Sequence, residues 1–179
     1  MGRKKKFLVL SSIIIIVFVI IFTIVGPEYD FFKREISRDF SLTQTVSVER
    51  ENIFEIIASP EQYLQVLPQT FLEVHIINQT ENVIFAEETI SYGGIETKIL
   101  VKHELFPFNK HIIEILDGDV KGSKLVMMFS EIDSKTTISS DFHLKTSGLL
   151  AYFPFMNQSN LQSAYGTAID TFVEYLKRN

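Results

Sequence analysis

The chain has 179 residues, 46% of them hydrophobic, enough for one domain with a sizeable core plus an appendage. Lys and Arg number 17 against 22 Asp and Glu; setting aside the four basic residues before Phe7 leaves 13 against 22, a net −9 for all that follows. Such an acidic domain with no basic stripe argues against nucleic-acid binding, and with no cysteine in the chain a thiol nucleophile is excluded.

Residues 1–6 form a basic tail. Phe7 to Val25 then runs for 19 residues without a charge. At 1.5 Å per residue a helix of that length spans about 28 Å, close to the hydrocarbon thickness of a bilayer. Gly26-Pro27 ends the run, and Tyr29, Phe31 and Phe32 stand where interfacial aromatics belong. A cleaved signal peptide has a shorter apolar stretch and a small-x-small site, which Ile24-Val25-Gly26-Pro27 does not supply. The expectation is a transmembrane anchor over residues 7–25, followed by a juxtamembrane stalk over 26–38. Arg3, Lys4, Lys5 and Lys6 outweigh Lys33, Arg34 and Arg38, so the tail is expected in the cytoplasm and the C-terminal domain outside it, a single-pass arrangement. The sequons Asn78-Gln79-Thr80 and Asn157-Gln158-Ser159 agree with that orientation and add little to it.

The folded domain is expected over residues 39–179. Phe40, Leu42, Val46 and Val48 alternate with Ser41, Thr43, Thr45 and Ser47, which predicts a half-buried first strand. Ile53, Phe54, Ile56 and Ile57 predict a short helix, with Glu49 and Glu51 suited to its N-terminal end. Ser59-Pro60-Glu61-Gln62 fits a capping box with proline at the first helical position, opening a second short helix with Tyr63, Leu64 and Leu67 that stops at Pro68. Six strands follow, over 71–77, 82–91, 95–106, 111–117, 123–132 and 135–145, and their short connections predict antiparallel pairing. Ile95, Ile99, Val101, His103 and Leu105 share one face of the third of these six, and Ile138, Ser140, Phe142 and Leu144 one face of the last. One side of the sheet therefore needs a cover.

The cover is the last helix, predicted from about 160 to 177. On a helical wheel Leu161, Ala164, Tyr165, Ala168, Ile169, Phe172, Val173, Tyr175 and Leu176 occupy one half. Ser159 is expected as its N-cap, with Gln162 reaching back in a capping box. Gly166 and Ala168 keep part of the helix narrow, which predicts a cavity between helix and sheet.

A strand, two short helices, six antiparallel strands and a long C-terminal helix is the element order of the START-like, or SRPBCC, superfamily. The stretch from Val46 through Glu49, Ile53, Phe54, Ile56, Ile57, Pro60 and Tyr63 to Leu67-Pro68 resembles the opening of its polyketide cyclase/dehydrase and coenzyme Q-binding branch. The resemblance implies an α+β helix-grip fold in which a curved seven-stranded antiparallel sheet wraps the last helix. It also implies binding of lipids, quinones, hormones or polyketides, with cyclisation in some members. The membrane anchor departs from the commonest soluble members.

The four histidines, His75, His103, His111 and His143, fall in four different strands without metal-ligand spacing, so no metal and no cofactor is implied. His143 falls on the polar face. His103 falls on the apolar face, either as a core histidine or as a polar handle for a ligand head group. Glu87 and Glu88 face opposite ways in one strand, so at most one points inward; exposure is expected for both. There is no GxSxG and no phosphate loop. The expected cavity lining is Ile99, Val101, His103, Met127, Phe129, Ser140, Phe142, Tyr165, Ile169 and Phe172. Leu149, Leu150, Tyr152, Phe153 and Phe155, ahead of the last helix, read as a lid or membrane contact, or as packing across the open end.

Three functions fit. The first is membrane-tethered binding or transfer of a hydrophobic molecule (lipid, isoprenoid or quinone-like). The second is a cyclase-type enzyme, which needs at least two polar side chains converging in the pocket. The third is an interaction domain with a packed core and an unidentified protein partner, favoured if no void reaches about 300 Å³.

Overall fold

A computed structural model describes residues 35–133, 135–147 and 157–179. The expected anchor at 7–25, the stalk as far as residue 34, and Leu149, Leu150, Tyr152, Phe153 and Phe155 lie outside them. Among the described residues no helix is long and apolar enough to cross a membrane.

The elements follow the expected order: β1 (Ile36–Val46), α1 (Arg50–Ile57), a 3-10 turn (Pro60–Gln62), α2 (Tyr63–Val66), β2 (Phe71–Gln79), β3 (Val83–Tyr92), β4 (Ile95–Phe106), β5 (Lys110–Asp117), β6 (Lys124–Ile132), β7 (Lys135–Thr146) and α3 (Gln158–Arg178). One sheet contains all seven strands in the order β1-β7-β6-β5-β4-β3-β2, every pair antiparallel. Short connections make each strand from β2 to β7 pair with the next, and β7 then receives β1 along Ile36↔Thr146 to Val46↔Thr136. Register shifts in β2 and at Leu100/Val101 break the ladder where the sheet bends. Gly93 and Gly94 (φ 61° and 81°) close the β3–β4 hairpin in the two-residue geometry that needs positive φ at both positions.

The described helices pack on one face of the sheet. Ile169, Phe172 and Val173 of α3 meet Val46, Met127, Phe129 and Ile138 of the sheet and Ile53, Phe54, Ile56 and Ile57 of α1 in one core. Phe172 is 5% exposed, and its ring lies 5.9 Å from that of Tyr63. Tyr165 stacks edge-on to Phe142 at 4.7 Å, and Gln44 Nε2 donates to Asp170 Oδ1 at 2.5 Å, which ties α3 to β1. The last helix thus turns its apolar side to the sheet, as its pattern predicts, except that Ala164 is exposed.

Several local expectations are corrected. β1 begins at Ile36, so residues 36–38, expected in the stalk, belong to the sheet. The cap of α3 is Asn157, whose side-chain oxygen accepts from the Asn160 amide at 2.9 Å; the Ser159 hydroxyl donates to that same oxygen, and Gln162 Nε2 donates to Ser41 O instead of reaching back. Neither capping box forms, because Ser59 Oγ donates to Glu55 O and leaves the next turn without a side-chain cap. In α2 the buried residues are Tyr63 and Val66, while Leu64 is 38% exposed.

Candidate functional site

Two features occupy the concave face beyond ordinary packing, and the alternation of the strands places both. The first is polar. Glu88 shares a face of β3 with Ile84 and Ala86, His103 a face of β4 with Ile99 and Val101, and His111 a face of β5 with Ile113. His103 Nε2 lies 3.2 Å from Glu88 Oε1, and His103 Nδ1 lies 3.0 Å from His111 Nε2. Glu88 is 3% exposed and both histidines 0%. With Glu88 a carboxylate, the network assigns the protons: His103 Nε2–H donates to Glu88, and His111 Nε2–H donates to His103 Nδ1. His111 Nδ1 is then a buried lone pair, and it has no partner.

Burial, and to a smaller extent the neighbouring His103, pull the His111 imidazole down to about 3, so His111 is neutral at ordinary pH. Tyr63 roofs the chain with its ring 6.4 Å from that of His103, and its hydroxyl donates to Ile57 O at 2.6 Å. Burial first, then Glu88, push that phenol well above the usual tyrosine range. Among the described residues no group of side chains is arranged to hold a metal ion.

The second feature is apolar. It lies where β5 and β7 end and β1 and β6 begin, beyond the main core in which the described helices pack. A recess of about 210 Å³ lies there, lined by Ile113, Ile115, Leu125, Phe142 and Leu144 together with Ser123, Lys124 and His143, which show no polar surface to it. The five apolar residues are half-buried, in contrast to Ile99, Val101 and Val120, which close the floor beside them.

The expected cavity residues therefore divide. Phe142 lines the recess. Met127, Phe129, Ile169 and Phe172 are packed in the main core, and Ile99 and Val101 in the second. Ser140 is buried and bonded to Tyr165, Oγ to Oη at 2.6 Å; burial pushes the Tyr165 phenol up to about 12 against the lowering effect of that bond. His103 is a core histidine, but its partners are side chains rather than backbone. The expectation that both glutamates are exposed is wrong for Glu88; Glu87 does face outward and pairs with Lys98 at 2.7 Å. His143 lies on the polar face as expected, 2.6 Å from Asp39 Oδ1. Sequence reasoning missed Glu88 and His111 as a pair for His103, although each shares its strand parity with apolar residues.

No protein-family model matches this sequence, and no curated protein matches it significantly. Solved structures do match in fold. The Zhui aromatase/cyclase of a Streptomyces species is 14% identical with a TM-score of 0.66, covering 80% of this chain and 95% of its own. A START superfamily protein from Mycobacterium smegmatis is 14% identical (TM-score 0.59; 77% and 93% covered). Norcoclaurine synthase from Thalictrum flavum is 12% identical (TM-score 0.61; 83% and 91% covered). The fold is thus the helix-grip fold of START-like proteins. At such identities the likeness speaks for architecture alone.

Proposed function

We propose that the protein binds a hydrophobic molecule in the recess on the concave face, held beside a bilayer by residues 7–25. One observation carries this reading: among the described residues the concave face bears, beyond its packed core, a recess whose exposed surface is apolar. Water gains nothing from such a lining, whereas each methylene moved into it contributes about 0.8 kcal/mol. The hollow is smaller than the roughly 300 Å³ at which drug-sized pockets begin, which favours the interaction reading over any bulky ligand and leaves a slender chain as the occupant it suits. A lipid or isoprenoid tail is the fitting occupant, and a tether raises its effective concentration.

A cyclase-type reading has less support. Glu88, His103 and His111 converge within hydrogen-bonding range, but none of them lines the recess.

The test is extraction of the full-length chain from its membrane into lipid nanodiscs, followed by mass spectrometry of what co-purifies and by uptake of a fluorescent lipid. Wild type carries or takes up a hydrophobic molecule, and Leu125→Trp, which fills the hollow, loses it. Repeated recovery of nothing, with no uptake, sinks the reading. The absence of cysteine allows the tether to be tested in the same protein. A membrane-impermeant maleimide applied to intact cells labels Glu131→Cys and spares Lys5→Cys if the domain lies outside.

A further inference from the structure

We propose that Phe142 is the stop of the recess, the side chain that sets how long a hydrocarbon segment it admits; this rests on the reading that the recess takes a hydrophobic ligand. The strand register places the walls in rows across the concave face. Ile113, Leu125 and Phe142 stand opposite one another on β5, β6 and β7, and the row continues to Phe40 of β1. The first three of these line the recess. Two positions further in along each strand, on the same face, His111, Met127 and Ser140 form the next row. None of these three lines the recess, and each is at most 1% exposed. Among the described residues the recess therefore ends at the row of Ile113, Leu125 and Phe142.

Phe142 is the member of that row with aromatic rings on two sides. Its ring stacks on that of Phe40 at 4.4 Å and 10°, and the Tyr165 ring stands edge-on to it at 4.7 Å. Tyr165 is tied in turn to Ser140, in the packed row behind, by a 2.6 Å bond between hydroxyls. A ring clamped in this way, with a close-packed interior behind it, does not swing aside for an arriving chain. Selection by a head group has no counterpart in this recess. Lys124, His143 and Ser123 border it but show no polar surface to it. His143 is bonded to Asp39 on the opposite face of the sheet, Lys124 is its register partner there, and Ser123 Oγ is engaged with the Lys145 backbone. A lining without donors or acceptors can tell ligands apart only by the length and shape of the chain it encloses. The recess holds the volume of about seven waters, and a methylene is of similar size, so about seven carbons fill it.

The experiment uses the full-length chain in phosphatidylcholine nanodiscs, photo-cross-linked with a series of 1-alkanols from butanol to tetradecanol, each with a diazirine at its far end. Labelling of β5 to β7 peptides is read by mass spectrometry against that of the nanodisc scaffold, which corrects for partitioning of the probe into lipid. In wild type it should rise about two- to fourfold per added carbon and level off near seven carbons. Phe142→Ala should carry the rise on by about four carbons, so that its ratio to wild type is near one for butanol and at least about tenfold for dodecanol. Phe142→Leu should move the plateau by fewer carbons, and it decides the matter if Phe142→Ala labels with no probe and has failed to fold. Leu144→Ala, which widens the recess without deepening it, should leave the plateau where it is. A plateau at one length in wild type and both Phe142 variants, or one that Leu144→Ala moves as far as Phe142→Ala does, overturns the role of Phe142 and leaves the hydrophobic recess standing. A wild type that labels with no plateau up to tetradecanol does the same. If no probe labels these strands in wild type, the recess reading itself fails, and the stop with it.

Discussion

Replacing His103 by leucine removes the centre of the buried polar chain and leaves its two ends facing hydrocarbon. The Glu88 carboxylate, 3% exposed, then has no partner, and His111 Nε2 loses the acceptor it has at 3.0 Å. Leaving buried hydrogen-bonding groups without their partner costs about 1–3 kcal/mol each, a large share of the roughly 5–15 kcal/mol by which domains of this kind are stable. Replacing all three groups together (Glu88→Met, His103→Leu, His111→Leu) takes away the desolvation along with the bonds, and such exchanges are often neutral or better. The triple variant should therefore be more stable than His103→Leu alone. In a double-mutant cycle the coupling between Glu88→Met and His103→Leu should be at least about 2 kcal/mol. Urea unfolding followed by circular dichroism and tyrosine fluorescence gives the values, tyrosine being the useful emitter in a chain without tryptophan. If the single variant loses less than about 1 kcal/mol and the cycle shows no coupling, Glu88 does not depend on His103 and the reasoning about the chain is wrong.

Acid should weaken the fold through His111. Its folded value of about 3 lies below the ordinary histidine value, so the unfolded chain binds more protons, and stability present above about pH 6.5 is lost as pH falls toward 3. Between pH 7.5 and 5 the loss is about 2 kcal/mol, read as a drop in the urea midpoint, and His111→Leu should flatten that part of the profile. Gly118→Ala should cost about 2–4 kcal/mol by the same assay: φ is 101°, and a Cβ there would stand 2.7 Å from Lys98 O, a backbone atom that cannot swing aside. Asn157→Ala should cost about 1 kcal/mol and Ser159→Ala clearly less; the reverse order would restore Ser159 as the cap of α3.

The fold was legible because its signals are periodic and repeated. Six strands after the helices, each with a two-residue alternation and a turn at its end, leave few arrangements other than an antiparallel meander, and the wide apolar side of α3 supplies the missing cover. The ends of elements were harder to read. Ser159 and Asn157 are both good cap residues two positions apart, and the choice turns on which oxygen meets the Asn160 amide, a matter of backbone path. Glu88 was misjudged because a strand pattern shows which residues share a face but not how deeply that face is buried. Its neighbours of like parity, Ile84 and Ala86, carried the warning. Arg38 reads as part of a stalk because β1 is polar at its start, and only its pairing with β7 sets it inward.

The location of the recess follows from the same geometry. Sequence reasoning put the cavity under the narrow part of α3, around Met127, Phe129 and Ile169, yet those side chains are at most 4% exposed and already touch one another. A ligand gains nothing by displacing contacts as good as those it would make, since the interior is close-packed and a forced entry strains it. Affinity for an apolar molecule can arise only where surface still meets water, and on the concave face that is the end bearing Ile113, Ile115, Leu125, Phe142 and Leu144. Small residues on a helix do not by themselves predict a cavity, because a curved sheet closes on them. Among the described residues the hollow lies beyond the packed core, toward the sheet's end.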